Sequence, residues 1–295
     1  MRQRSAFLVS VLCFGFAFFY IPIISMIIFS FNKSRLATVW GGFSVEWYFK
    51  LFKNAQIIKA ATLSLEIAVI SATFATILGT MAGMALARFS RFRGRTLFSG
   101  LVSAPLIMPE VITGVSLLLL FVFMERYIGW PEKRGFTTVT IAHTTFALSY
   151  VAVIIQSRLQ SMDVSLEEAA MDLGSKPWQV LFDVTLPIIA PAMISGWLLA
   201  FTISLDDVVI TNFTTGPGAT TLPILIWGKV KLGVTPDINA LATLIVLVVS
   251  IGVGLAGYIM YRTEKKRDRD IQMALAANKE VLEKSSTLRR TPESQ

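Results

Sequence analysis

Six stretches of this chain run almost without a charged side chain, and they leave it few ways to fold. Ser5–Asn32, Gly135–Ser157, Val184–Leu205 and Ile238–Tyr261 contain no Asp, Glu, Lys or Arg; Ala60–Ala87 holds only Glu66, and Thr96–Met124 only Glu110. Each exceeds the roughly 20 residues that cross about 30 Å of hydrocarbon at 1.5 Å per residue. With 54% hydrophobic and 16% charged residues, against about 25% charged in average usage, the chain cannot clothe a water-facing surface. The expectation is an all-α membrane protein with six transmembrane helices. They are placed at about Ala6–Ser30, Ala60–Ala87, Leu97–Met124, Thr137–Ser157, Ile188–Phe213 and Ala240–Tyr261.

The first apolar run is longer than a secretory h-region of about 7–15 residues and no small-residue cleavage site follows, so it is read as a retained anchor. Cys13, the only cysteine, lies in that helix, which leaves no disulfide framework and no thiolate metal site. His143, the only histidine, reads as a packed polar residue of the fourth helix. The net charge of +8 would suit nucleic acid on a soluble chain, but here it reports topology. With both termini inside, 17 of the 27 Lys and Arg fall on the inner side, including Arg88, Arg91, Arg93 and Arg95. The first outer loop carries Lys33, Arg35, Lys50, Lys53 and Lys59 against that trend, and its Trp40, Trp47 and Tyr48 suggest a partly folded segment at headgroup level. The chain thus divides into a transmembrane domain, 1–261, and a charged cytoplasmic tail, 262–295, with no internal repeat.

The inner loop 158–187 is the most structured of the connections. Ser165 and Glu168 fit a capping box, and Glu167 and Glu168 lie in a first turn, where the helix dipole favours negative charge. Gly174 then ends the helix in a left-handed conformation; Ser175 caps a second helix, Pro177 starts it, and Pro187 stops it. Trp178, Leu181 and Phe182 share one apolar face of this second limb. An amphipathic connector lying on lipid is the plain alternative. Asp163, Glu167, Glu168, Asp172 and Asp183 make the loop acidic, however, and anionic lipid would repel it, so a protein partner is favoured.

At this point the residues match a family. Glu168-Ala169-Ala170, three residues, Gly174, nine residues, then Val184-x-Leu186-Pro187 resembles the signature loop of permease subunits in binding-protein-dependent ABC importers, with Val184 in place of the usual Ile. The resemblance implies the type I ABC importer permease fold, in which the loop's first limb is a coupling helix docked on a separate ATPase. Glu168, Ala169, Ala170, Gly174, Leu186 and Pro187 are the positions it assigns to coupling. The sequence has no G-x-x-x-x-G-K-[ST] phosphate loop, so a non-catalytic subunit is expected, with ATP and Mg bound by the partner chain and no cofactor or metal in this one.

Ionisable residues inside membrane spans are functional candidates by default. Four occur, all acidic: Glu66, Glu110, Asp206 and Asp207. All fall in the outer half by helical rise, with no basic residue in the same spans, and such a cluster suits a cationic cargo. Asp206 and Asp207 point about 100° apart, so one of the two is expected to line a pathway unless the helix simply ends there. Pro105 and Pro109 predict a kink beside Glu110. The polar, uncharged segment Thr214–Pro223, with Gly216, Pro217, Gly218, Thr220 and Thr221, is backbone allowed at membrane depth only when buried or lining a cavity, and reads as an outer gate or a docking surface.

Beyond the loop, nearly the whole chain resembles polyamine importer permeases, with the second permease subunits of putrescine importers nearest in pattern. The similarity runs through Ser30-Phe31-Asn32, Ala104-Pro105-Leu106, Met108 to Gly114, Ser195-Gly196-Trp197-Leu198, Ser204-Leu205-Asp206-Asp207, Gly216 to Pro223 and Asn239 to Thr243. It implies a multi-pass protein of the bacterial inner membrane. Its partners would be a second, non-identical permease, two ATP-binding subunits, a periplasmic polyamine-binding protein and membrane lipid, without nucleic acid. The alternative from another class is a stand-alone ion-coupled carrier for organic cations, which inverted repeats would favour and which are not seen.

Overall fold

The computed structural model describes residues 6–35, 39–89, 91–233, 235–252 and, beyond these, 254, 258, 262 and 265. Among them the secondary structure is helical, apart from an isolated bridge between Asn32 and Phe43. The chain forms two compact units, one of Met1–Tyr48 with Pro236–Gln295 and one of Phe49–Thr235.

In the first unit α1 (Ala6–Ser30) is apolar on every side, as a helix surrounded by lipid or by other spans must be. It ends in a turn built on Asn32, whose side chain donates to the Val39 carbonyl at 2.7 Å and accepts from the Gly41 N–H at 2.8 Å. The Trp47 indole donates to the Asn32 carbonyl at 2.7 Å, and the Ser30 and Tyr48 hydroxyls meet at 2.7 Å. Trp47 and Tyr48 therefore pin the loop, and Trp40 is exposed and meets Phe29 edge-on. The apolar helix Pro236–Gly252 is the described part of the expected sixth span, and the tail 262–295 lies outside the described residues except for Arg262 and Lys265.

The second unit starts near α2 (Glu46–Lys53), which is followed by α3 (Ala55–Arg88). With 34 residues α3 is about 51 Å long, more than the roughly 30 Å of a hydrocarbon core. It begins five residues before the expected Ala60, because the Asn54 side chain accepts from the Gln56 and Ile57 N–H groups and caps it there. α3 packs with α6 (Phe136–Gln160) and α9 (Leu186–Asp206) around Ala72, Ala75, Ala147, Val151, Ile155, Ile189 and Ala200. The backbones of α3 and α6 approach so closely that a Cβ on Gly83 would lie 2.7 Å from the Ala152 carbonyl oxygen. Small residues at such crossings let apolar helices associate by dispersion where no hydrophobic effect drives them.

Two expected helices differ in the structure. The third is broken into α4 (Arg95–Ile107) and α5 (Glu110–Ile128). Pro109 disfavours the helical conformation at the residue before it, and Met108 is accordingly extended at φ −80°, ψ 138°. The fifth does not start afresh at Ile188 after a stop of the elbow's second limb at Pro187. A continuous helical path runs from α8 (Pro177–Val180) through a π turn (Leu181–Thr185) into α9. Pro187 has no N–H for the Asp183 carbonyl and its ring crowds that oxygen; the widened turn just before it accommodates both. At its far end α9 stops at Asp206, not Phe213, and α10 (Val209–Thr214) and α11 (Leu222–Leu232) follow. Among the described residues five helices are long and apolar enough to cross a membrane, and α4 and Pro236–Gly252 are shorter apolar helices.

Candidate functional site

The loop between α6 and α9 is an elbow, as expected, but with different caps. In α7 (Ser165–Asp172) the Ser165–Glu168 capping box does not form; Asp163 accepts from the Ser165 N–H at 3.0 Å instead, and this bond holds its carboxyl below the ordinary value of 3.8. Gly174 has φ +90°, and the N–H groups of Gly174 and Ser175 reach back to the Met171 and Ala170 carbonyls at 2.9 and 3.1 Å. These two bonds are the pattern that closes a helix on a left-handed residue. Ser175 does not cap α8; Lys176 occupies that position and its N–H donates to the Gln179 side chain at 2.8 Å. No residue of α7 is buried: Glu168 and Ala169 are exposed, Ala170 is half-buried, and Leu166, Met171 and Leu173 stand open. Leu186 instead packs on the helical core, and the exposed Pro187 follows the π turn.

Glu167, by sequence only a first-turn charge, ties this open helix to its neighbours. Its carboxylate accepts from Arg88 Nη2 at 3.1 Å, pairs with Arg88 Nε at 2.9 Å, and accepts from the Thr185 hydroxyl at 2.8 Å. Arg88 also donates to the Leu159 carbonyl at 3.1 Å, one of the last carbonyls of α6, which accepts from the Met162 N–H at 3.4 Å as well. The available signal was an Arg closing a long apolar span, opposite an acidic loop.

The second feature lies where both broken helices resume. Glu110, Phe146, Tyr150, Ile203, Asp206, Asp207, Val208 and Val209 line one open cleft of about 320 Å³. Glu110 opens α5 and Asp206 ends α9, and both are exposed to this space. Asp207 turns inward. Its carboxylate accepts from the Ile210 N–H at 3.2 Å and from the Thr211 N–H and hydroxyl, each at 2.7 Å. His143 completes the network: its Nε2 lies 3.2 Å from Asp207 and 2.9 Å from the Thr211 hydroxyl, and its Nδ1 2.6 Å from Ser204. An Nε2–H donated to the carboxylate leaves Nδ1 to accept from Ser204, so a neutral ring satisfies every contact. His143 is 3% exposed, a packed polar residue as read from the sequence. Asp207, read as unpaired within its own span, thus finds a hydrogen-bond partner in a different one. Glu66 is exposed on α3 and does not line the cleft.

The segment Thr214–Pro223 is pinned at both ends. The Thr138 hydroxyl donates to the Thr214 carbonyl at 2.7 Å, and the Leu222 N–H donates to Ser64 at 2.8 Å. Gly216 faces the Arg134 backbone so closely that a Cβ would lie 2.2 Å from its carbonyl oxygen. Pro217, Gly218 and Thr220 are exposed and Thr221 is buried. Gly218 and Thr220 border a second cavity, of about 150 Å³, with Gln56 and Lys59.

Residues 75–267 match the family described as binding-protein-dependent transport system inner membrane component. Over 271 residues the chain is 55% identical to the putrescine transport system permease protein PotI of Escherichia coli (strain K12), covering 92% of this chain and 96% of that one. It is 42% identical over 251 residues to the spermidine/putrescine transport system permease protein PotC of the same organism, covering 85% and 92%. In structure it is similar to a chain of a bacterial ABC transporter that imports the acidic polysaccharide alginate (TM-score 0.66, 17% identity, 88% and 99% covered). A chain of an alginate transporter complexed with a pentasaccharide-bound periplasmic protein gives TM-score 0.67 at 18% identity, with 85% and 90% covered. These last two likenesses bear on the fold, which is the type I importer permease fold. The ion-coupled carrier finds no support. By the match over more than half of its length and by its identity to relatives that it covers almost fully, the chain belongs to the inner-membrane permease components of binding-protein-dependent ABC transport systems.

Proposed function

We propose that this chain is one permease subunit of an ATP-driven polyamine importer, with a putrescine-type diamine as cargo. The 55% identity over 92% of the chain to a putrescine permease carries the reading. The cleft supports it chemically: Glu110 and Asp206 offer two carboxylates to ammonium groups, and Phe146 and Tyr150 add aromatic side chains to its lining. Asp207 is assigned to the frame of the cleft, and Glu66 to its surroundings rather than its lining.

In this reading both termini are cytoplasmic and α7 faces the cytoplasm. Glu168, Ala169, Ala170 and Gly174 present the coupling helix to one of two ATP-binding subunits, which hold ATP and Mg; this chain holds no cofactor and performs no catalysis. A second, non-identical permease faces the cleft, and a periplasmic polyamine-binding protein delivers cargo near Gly216–Thr221. Because that segment is bonded to α3 and α6, it moves with them and serves as a gate they carry.

The test is reconstitution of the complete complex in liposomes with labelled putrescine. ATP-dependent uptake that needs the binding protein is expected. Uptake by this chain alone, without an ATPase, would refute the proposal.

A further inference from the structure

A coupling helix transmits motion only if something stiff joins it to the spans, and α7 buries no residue of its own. Its covalent links are the short connections Ser161–Val164 and Leu173–Lys176, the second turning at Gly174. Glu167 supplies the missing stiffness. Its two carboxylate oxygens collect Arg88 from the end of α3 and Thr185 from the π turn that leads into α9, and Arg88 continues to the Leu159 carbonyl at the end of α6. One side chain of α7 thus reaches the ends of all three helices that form the core of this unit.

The surroundings suit a strut. The Arg88 and Glu167 side chains are 20% and 14% exposed, so the pair is shielded from the screening that weakens surface ion pairs. The guanidinium donates to one carboxylate oxygen through Nη2 and keeps Nε at ion-pair distance, 2.9 Å, from the other, so the two charges stay close. The third partner, Thr185, sits in the π turn that leads into α9, so the bond reaches that helix where its path is widened.

We propose that Glu167 and Arg88 are positioning residues that convert displacement of α7 into movement of α3, α6 and α9. Glu168, adjacent in sequence but exposed, is left for the ATPase surface. The proposal rests on the reading that α7 docks on an ATPase, and it assigns to Glu167 a role distinct from that contact.

The test uses the complete complex in proteoliposomes and measures putrescine uptake and ATP hydrolysis in the same preparation. Glu167→Gln, Arg88→Gln and the double variant are compared with the unaltered complex at matched amounts of assembled protein. The number of cargo molecules imported per ATP is expected to fall at least fivefold in each single variant. The double variant is expected to fall no further than about twofold below either one, because all three remove the same connection. Thr185→Val, which removes a single bond, is expected between these and the unaltered complex, and it provides the reading should the others fail to assemble. A purely structural role would lower uptake and cargo-stimulated hydrolysis in proportion and leave the ratio unchanged; a ratio within twofold of the unaltered complex, or additive losses, overturns the strut. If the unaltered complex itself shows no cargo-stimulated hydrolysis, the functional reading fails instead.

Discussion

Asp206 and Asp207 are neighbours of identical chemistry, and the structure predicts that removing each will have opposite consequences. Asp207→Ala deletes an acceptor used by the Ile210 N–H, the Thr211 N–H, the Thr211 hydroxyl and His143. Side-chain hydrogen bonds within membrane proteins average about 0.6 kcal/mol each. Four give roughly 2.4 kcal/mol, and the backbone donors at the start of α10, left without an acceptor, bring the cost to about 3 kcal/mol. Asp206→Ala removes a carboxylate exposed to the cleft and is expected to change stability by less than about 0.5 kcal/mol. Tryptophan fluorescence during heating of the detergent-solubilised complex reads the difference. At roughly 2 °C per kcal/mol for a chain of this size, Asp207→Ala should melt about 6 °C lower and Asp206→Ala within about 1 °C of the unaltered protein. Transport should divide the other way, with Asp206→Ala raising the putrescine concentration needed for half-maximal uptake in a complex of normal stability. Equal melting of the two variants would refute the division of labour between them.

Gly83→Val should destabilise the α3–α6 crossing by about 1–3 kcal/mol, since its Cβ would lie 2.7 Å from the Ala152 carbonyl oxygen; thermal melting against Gly100→Val, at a site with open space, checks this. Gly174→Trp forces a bulky residue to φ +90° at a cost of about 1–2 kcal/mol, and with Glu168→Lys it should abolish uptake while the chain still inserts; normal uptake by either variant would remove that residue from the coupling role. Asp163 should titrate below 3.8, because the charged form accepts the Ser165 N–H. A lowered folded value means that the bond stabilises α7 fully above the unfolded value and that this is lost as pH falls through the lower folded one; hydrogen exchange at Ser165 between pH 5 and pH 2 should show protection fading at the acid end, absent in Asp163→Ala.

The membrane-spanning character of the chain was legible because lipid leaves a backbone little choice: long uncharged runs must be helices that satisfy their own hydrogen bonds. The elbow between α6 and α9 was legible too, since Gly174 and Pro177 impose local geometry wherever they occur. Local rules failed where two signals competed. Pro109 was read as a kink but acts on Met108 to break the helix, while Pro187 was read as a stop and is absorbed by a π turn because packing of Leu186 and Ile189 on the core holds the path helical. Ser165 lost its capping role to Asp163, two residues earlier and equally able to accept a backbone donor.

What the sequence determined by itself is therefore the class of molecule, its spans and the shape of its exposed elbow, all properties of contiguous residues. The tertiary structure decided which of two adjacent carboxylates is hydrogen-bonded inward and which stays open to the cleft, because that depends on His143 arriving from α6, 64 residues away in the chain. It likewise joined Arg88 to Glu167 across 79 positions. Side-chain charge is written in the sequence, but its partner, and hence its chemistry, is set by which helices pack together.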